Sequence, residues 1–163
     1  MNISNIKTMN FSDLEIGSLF VLTEYEDQAV FAIKGKDANG EVEDYVIYLS
    51  GENSFNGQPC HDDNLVVTKI KKFAFQVDIN SLRSGSCENP TPGEIFNAAD
   101  EMLLMFSRNR MGHSGWVNLH TGKIISHYEM NKMNKVKRWE LISPSTNQSD
   151  SIQEPLVRFS QST

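Results

Sequence analysis

Apolar residues come in short, closely spaced runs. Ser18–Thr23 is rich in strand formers, Glu24–Asp27 is polar, and Ala29–Ile33 is apolar again. Asp37-Ala38-Asn39-Gly40 marks a turn, because Asn and Gly tolerate positive φ. Tyr45–Leu49 follows, then a Gly/Asn/Pro-rich loop over 50–64, then Leu65–Ile70 and Phe73–Ile79. This rhythm predicts a mainly β chain built from small barrels or sandwiches.

Residues 80–92 are rich in Ser, Gly, Asn and Pro and form the best candidate boundary. Beyond them two patterns compete. Thr91-Pro92-Gly93-Glu94 has the form of a helix capping box, and Ile95, Phe96, Ala99, Met102, Leu103 and Phe106 recur at helical spacing. That reading makes 92–108 an amphipathic helix. An internal repeat predicts two strands instead. In order, Ile16–Phe20 aligns with Pro92–Phe96, Val30–Lys36 with Leu104–Arg110, Tyr45–Gly51 with Trp116–Gly122, and Val67–Phe75 with Val136–Leu141. The ordered agreement of four blocks outweighs one periodic window. Organisation then follows: a first unit over 1–79, a connector over 80–92, a second unit over 93–142 and a polar tail over 143–163, within which Leu156–Phe159 is the one apolar patch.

Asp13–Phe20 and Trp116–Lys123 resemble the opening and the later hairpin of small SH3-like barrels, a family recurring among phage and bacterial proteins. The expected fold is therefore two tandem SH3-like barrel units, with one β domain plus a helix at 92–108 as the alternative. The resemblance implies a fold rather than an activity.

Composition narrows the functional classes. The chain has 163 residues, with 39% hydrophobic and 22% charged, which is globular. No apolar run approaches the roughly 20 residues that span a bilayer, and the first residues lack the apolar core of a signal peptide, so a cytoplasmic, non-membrane protein is expected. Two cysteines, Cys60 and Cys87, fit free thiols in a reducing compartment. The net charge of −6 is uneven: residues 11–79 carry 5 basic against 13 acidic groups, and residues 91–142 carry 7 against 5.

Candidate chemistry is sparse. Cys60-His61-Asp62-Asp63 lacks a second ligand cluster, and His113, His120 and His127 repeat every seven residues in a glycine-rich stretch that disfavours a helix, so neither makes a zinc site. No nucleophile elbow or phosphate loop is present. No enzyme activity, cofactor or metal is expected. The leading expectation is a non-enzymatic protein-binding module, one form of which is an inhibitor of a host system from a phage or mobile element. Its contacts would come from the acidic Glu24, Glu26, Asp27, Glu41, Glu43 and Asp44. The alternative is nucleic-acid binding through Arg108, Arg110, Lys135, Lys137 and Arg138, interleaved with aromatic residues.

Overall fold

The structure, a computed structural model, describes residues 6–23, 28–37, 43–84, 90–98, 100–108, 113–125, 133–143 and 155–161. The chain is mainly β, and no α-helix occurs among the described residues. The strands of the first half are β1 (Ile6–Asn10), β2 (Leu19–Thr23), β3 (Ala29–Asp37), β4 (Asp44–Tyr48), β5 (Asn56–Pro59), β6 (Val66–Ile70), β7 (Ala74–Val77) and β8 (Leu82–Ser84). Those of the second are β9 (Ile95–Ala98), β10 (Glu101–Arg108), β11 (His113–Asn118), β12 (Lys123–Ile125), β13 (Asn134–Val136), β14 (Arg138–Ile142) and β15 (Val157–Ser160).

Six strands close a ring in the order β3, β4, β5, β10, β11, β12 and back to β3. The two closing pairs, β5 with β10 and β12 with β3, are parallel and join the halves. β2, β6 and β1 extend the ring from β3, and β9, β13 and β8 extend it from β10. The strands β15, β14 and β7 form a separate antiparallel sheet.

The helical reading of 92–108 is overturned. Thr91-Pro92-Gly93-Glu94 closes a tight turn, with Gly93 at φ 96° and the Glu94 amide donating to the Thr91 carbonyl at 3.1 Å. The Glu94 carboxylate accepts from the Thr91 amide at 2.9 Å. One half of a capping box, the Glu94 carboxylate on the Thr91 amide, is thus present, but the Glu94 amide goes to the Thr91 main-chain carbonyl and the positive-φ glycine turns the chain into a strand. The helical spacing arises because β9 and β10 are buried on both faces. Ile95, Leu104 and Phe106 face one apolar cluster, and Phe96, Leu103 and Met105 another. A strand buried on both sides reads as a continuous apolar run, without alternation.

The same backbone bonds occur twice. Gly17 donates to the Lys34 carbonyl (2.8 Å) and Lys34 to that of Ser18 (3.0 Å); Gly93 donates to Met105 (2.8 Å) and Met105 to Glu94 (2.9 Å). Leu49 donates to Phe31 (2.8 Å), as Leu119 does to Met102 (2.9 Å). Phe55, at φ 60°, donates to Tyr48, and Gly122, at φ 70°, donates to Asn118, both at 2.8 Å. The carbonyl of Phe55 accepts from Ser107 (2.8 Å) and that of Gly122 from Lys36 (3.0 Å), so each half docks its hairpin on the other. These bonds make Lys34 the counterpart of Met105, and Val46 that of Trp116. The match of Lys34 to Arg108 and of Tyr45 to Trp116 by residue type is therefore out of register. Residue type aligned buried positions poorly because a one-residue slip moves a strand side chain to the opposite face.

One core cluster draws on the ring: Ile33 of β3, Tyr45 and Ile47 of β4, Leu104 and Phe106 of β10, Val117 of β11 and Ile124 of β12. Gly57 of β5 leaves room for the Phe106 ring, since a Cβ there would stand 2.5 Å from Phe106 Cδ2. Leu141, Trp139 and Val157 continue this cluster under the three-stranded sheet, which fixes that sheet on the ring.

Candidate binding face

In the three-stranded sheet Trp139 pairs with Val77 on one side and Phe159 on the other, and Glu140 pairs with Gln76 and Arg158. Strand side chains alternate between faces. Trp139, Leu141 and Val157 are buried against the core. Gln76, Glu140 and Arg158 therefore share the opposite face, together with Asp78, Arg138 and Ser160. These six line a groove of about 440 Å³, with Ile79, 76% exposed, at its rim.

The sheet beneath the groove is stiffened from its buried side. The Trp139 indole donates to the Gly93 carbonyl at 2.7 Å and stacks on Phe159, centroids 5.6 Å apart and 18° from parallel. Phe55 packs edge-on against both rings. Gly93 is needed here, because a Cβ would lie 2.8 Å from Phe159 Cδ2. Two ion pairs cross the groove wall. Arg158 Nε donates to Glu140 Oε1 at 2.7 Å, and Arg138 Nη2 lies 3.2 Å from Asp78 Oδ2. Both guanidinium groups are more than half exposed, at 55% for Arg138 and 67% for Arg158. Exposed pairs of this kind contribute little to stability, about 0–1 kcal/mol each. They hold donors and acceptors in place at small energetic cost to exchange.

Of the acidic candidates, Glu24, Glu26, Asp27 and Glu41 lie outside the described residues. Glu43 is exposed, with Oε1 3.7 Å from His61 Nδ1. Asp44 has a structural partner: its Oδ2 is 2.8 Å from Nζ of Lys34, which is buried and also donates to the carbonyls of Phe11 (2.8 Å) and Ser12 (3.3 Å). Among the basic candidates, Arg110 lies outside the described residues. Arg108 binds the buried Asp37 and lies over the Tyr45 ring at 5.4 Å. Lys135 Nζ is 2.5 Å from Oε1 of Glu94, which is fully buried. Lys137 is half-buried, and its carbonyl accepts from the Gln161 amide at 3.0 Å. Of the candidates among the described residues, only Arg138 reaches the groove.

Residue type alone does not reveal Arg158, Asp78 or Glu140, because the groove is assembled from three remote segments. The available signal was the apolar Leu156–Phe159 patch in a polar tail. Elsewhere, Glu15 and Lys69 form an exposed pair at 2.7 Å. The Lys69 hydrogen bond, and after it the Lys69 charge, holds the Glu15 carboxyl below the ordinary glutamate range. Among the described residues no three His, Cys, Asp or Glu side chains gather where a metal could sit, and no helix is long and apolar enough to cross a membrane.

No protein-family model, no curated protein and no solved structure matches the chain.

Proposed function

We propose that the protein is a non-catalytic interaction module that docks another protein on the outer face of the β7–β14–β15 sheet. The observation that carries this reading is the groove itself: two arginines, each beside an acid, and the exposed Ile79, on a sheet backed from its buried side by packed aromatic rings. Arginine and apolar side chains on a rigid face are the usual anchors of protein interfaces. A pre-formed face also lowers the ordering cost of association. An inhibitor of a host system, encoded by a phage or mobile element, is one role for such a module.

The nucleic-acid alternative is supported less well, because Arg108 and Lys135 are each engaged by a buried carboxylate. The test is site-specific photo-crosslinking. A photoreactive residue at position 79 of the full chain should capture a protein from the source cell, with or without nuclease. Arg138→Ala combined with Arg158→Ala should reduce capture about tenfold or more. Capture abolished by nuclease, or unaffected by the arginine changes, would refute the reading.

A further inference from the structure

The two halves repeat the same strand pairing, with one exception at the sheet that carries the groove. Phe20 of β2 lies opposite Lys69 of β6, and Phe96 of β9 lies opposite Lys135 of β13. Counting on from these two lysines makes Phe73 the counterpart of Trp139 and Phe75 the counterpart of Leu141. β7 and β14 pair so that Phe75 lies opposite Leu141, its own counterpart. The two strands are therefore related by a local two-fold axis through that pair. On its far side β14 is covered by β15, with Trp139 opposite Phe159 and Leu141 opposite Val157. Among the described residues no strand covers the far side of β7.

The difference has a sequence cause. After β7 the chain enters a 3-10 turn at Ile79–Ser81, whose first amides are turned by Asp78, and then becomes β8 on the other sheet. No described segment after it folds back along β7. The consequence shows in burial. Trp139 and Leu141 are 1% and 0% exposed, whereas their counterparts Phe73 and Phe75, with Val77, are only partly buried. The Asp78 amide donates to the Arg138 carbonyl at 3.0 Å. Antiparallel pairs alternate between bonded and non-bonded, so Gln76 and Ala74 also face β14, and the backbone groups of Phe75 and Val77 point to the open edge. Beside that edge Lys71 and Lys72 are exposed and carry no ion pair to a described residue.

We propose that the edge of β7 is a strand-acceptor site for an extended acidic peptide segment of a partner protein. This deepens the module reading above and rests on it. The bound segment would lie antiparallel to β7, as β15 lies on β14. Two apolar residues, two positions apart, would cover Phe73 and Phe75, as Phe159 and Val157 cover Trp139 and Leu141. An Asp or Glu beside them would meet Lys72, a residue on the groove face of the sheet. Main-chain bonds supply affinity in this mode, and the alternate side chains and the charge supply specificity.

The probe is a ten-residue synthetic peptide with Val and Phe two positions apart and Glu at the neighbouring polar positions, titrated into the full chain. Hydrogen exchange should slow at the amides of Phe75 and Val77 and stay unchanged at Gln76, which is already bonded to β14. Lys72→Glu should weaken the acidic peptide at least about tenfold and favour a Lys-substituted version of it. Binding without protection at Phe75 and Val77 overturns the proposal, as does absence of binding at millimolar peptide. Protection that rises with protein concentration in the absence of peptide also overturns it, since the occupant is then a second copy of this chain. If crosslinking at position 79 succeeds while the peptide fails, the strand-acceptor site falls and the module reading stands.

Discussion

Replacing Gly57 by alanine tests how the ring is filled. The new Cβ would stand 2.5 Å from Phe106 Cδ2, about 1 Å inside ordinary carbon–carbon contact. The Phe106 ring has no room to withdraw, because a Cβ at Gly115 on its other flank would already be 2.8 Å from its Cζ. Phe106 is fully buried, and β5 is held by the parallel pairing of Asn56 with Ser107 and of Gly57 with Arg108. Overpacking of this kind costs about 1–3 kcal/mol. For a chain of this size that is a fall in melting temperature of roughly 4–8 °C at the middle of the range. Phe106→Leu alone should cost about 1–2 kcal/mol through the space it leaves. In Gly57→Ala/Phe106→Leu the added methyl enters that space. The double variant should therefore be at least about 1 kcal/mol more stable than the sum of the singles. Gly35→Ala is the control: its Cβ would meet the methyl ends of Ile47 and Ile124 at 2.8 and 2.9 Å and Ile124 Cγ1 at 3.1 Å, aliphatic ends that give way more easily than a ring. It should cost less than Gly57→Ala. Urea unfolding followed by tryptophan fluorescence measures all four variants. Additivity within about 0.5 kcal/mol would show that Phe106 does not occupy the space of Gly57, and the account of the ring core would be wrong.

Two further predictions concern charge. Asp37→Leu takes the ion-pair partner from Arg108, at 18% side-chain exposure, and Arg108→Met takes it from Asp37, at 3%, so each should destabilise, by up to about 3–5 kcal/mol. The double variant should be milder than either single in the same urea experiment. Glu15 has a depressed folded-state pKa, so its contribution is present above its unfolded value and is lost as pH falls through the folded one. Glu15→Gln should accordingly lower stability slightly at neutral pH, leave it unchanged below the folded-state value where Glu15 is already protonated, and flatten the profile between the two.

The strands that alternate or cluster strand formers were legible: Leu19–Thr23, Ala29–Ile33 and Tyr45–Tyr48 are all in sheets. β5 was not. Asn56-Gly57-Gln58-Pro59 contains no strand former and sits in what reads as a loop, yet it closes the ring, because the Phe106 ring demands a glycine there and parallel pairing to β10 supplies the bonds. β10 was ambiguous because both of its faces are apolar. Lys34 aligns by residue type with the basic Arg108 and is 1% exposed, held by carbonyls of Phe11 and Ser12 that no local pattern brings near it. Of the groove, Arg138 could be picked out as a basic residue. Its neighbours could not, since Asp78, Glu140 and Arg158 come together only through the pairing of β7, β14 and β15.

The two halves differ in ways that fit each other, and this explains why neither half can be read alone. Counting three residues on from Lys34 and Met105 makes Asp37 the counterpart of Arg108, and these two bind one another. If the halves were identical, a residue at this position would face a copy of itself, and a buried charge there would face a like charge. Opposite charges let each half prefer the other. Size follows the same rule. Gly35 corresponds to Phe106 and Gly57 to Ile124, so a small residue meets a large one at both parallel seams, with the roles exchanged. A difference without such a complement is β15, which covers β14 and has no counterpart on β7 among the described residues. A fold that balances its two halves in charge and in volume leaves, among the described residues, one strand position open beside the exposed Lys71 and Lys72. That is where a partner gains most by binding, since the added strand would cover Phe73 and Phe75 without displacing any described pairing.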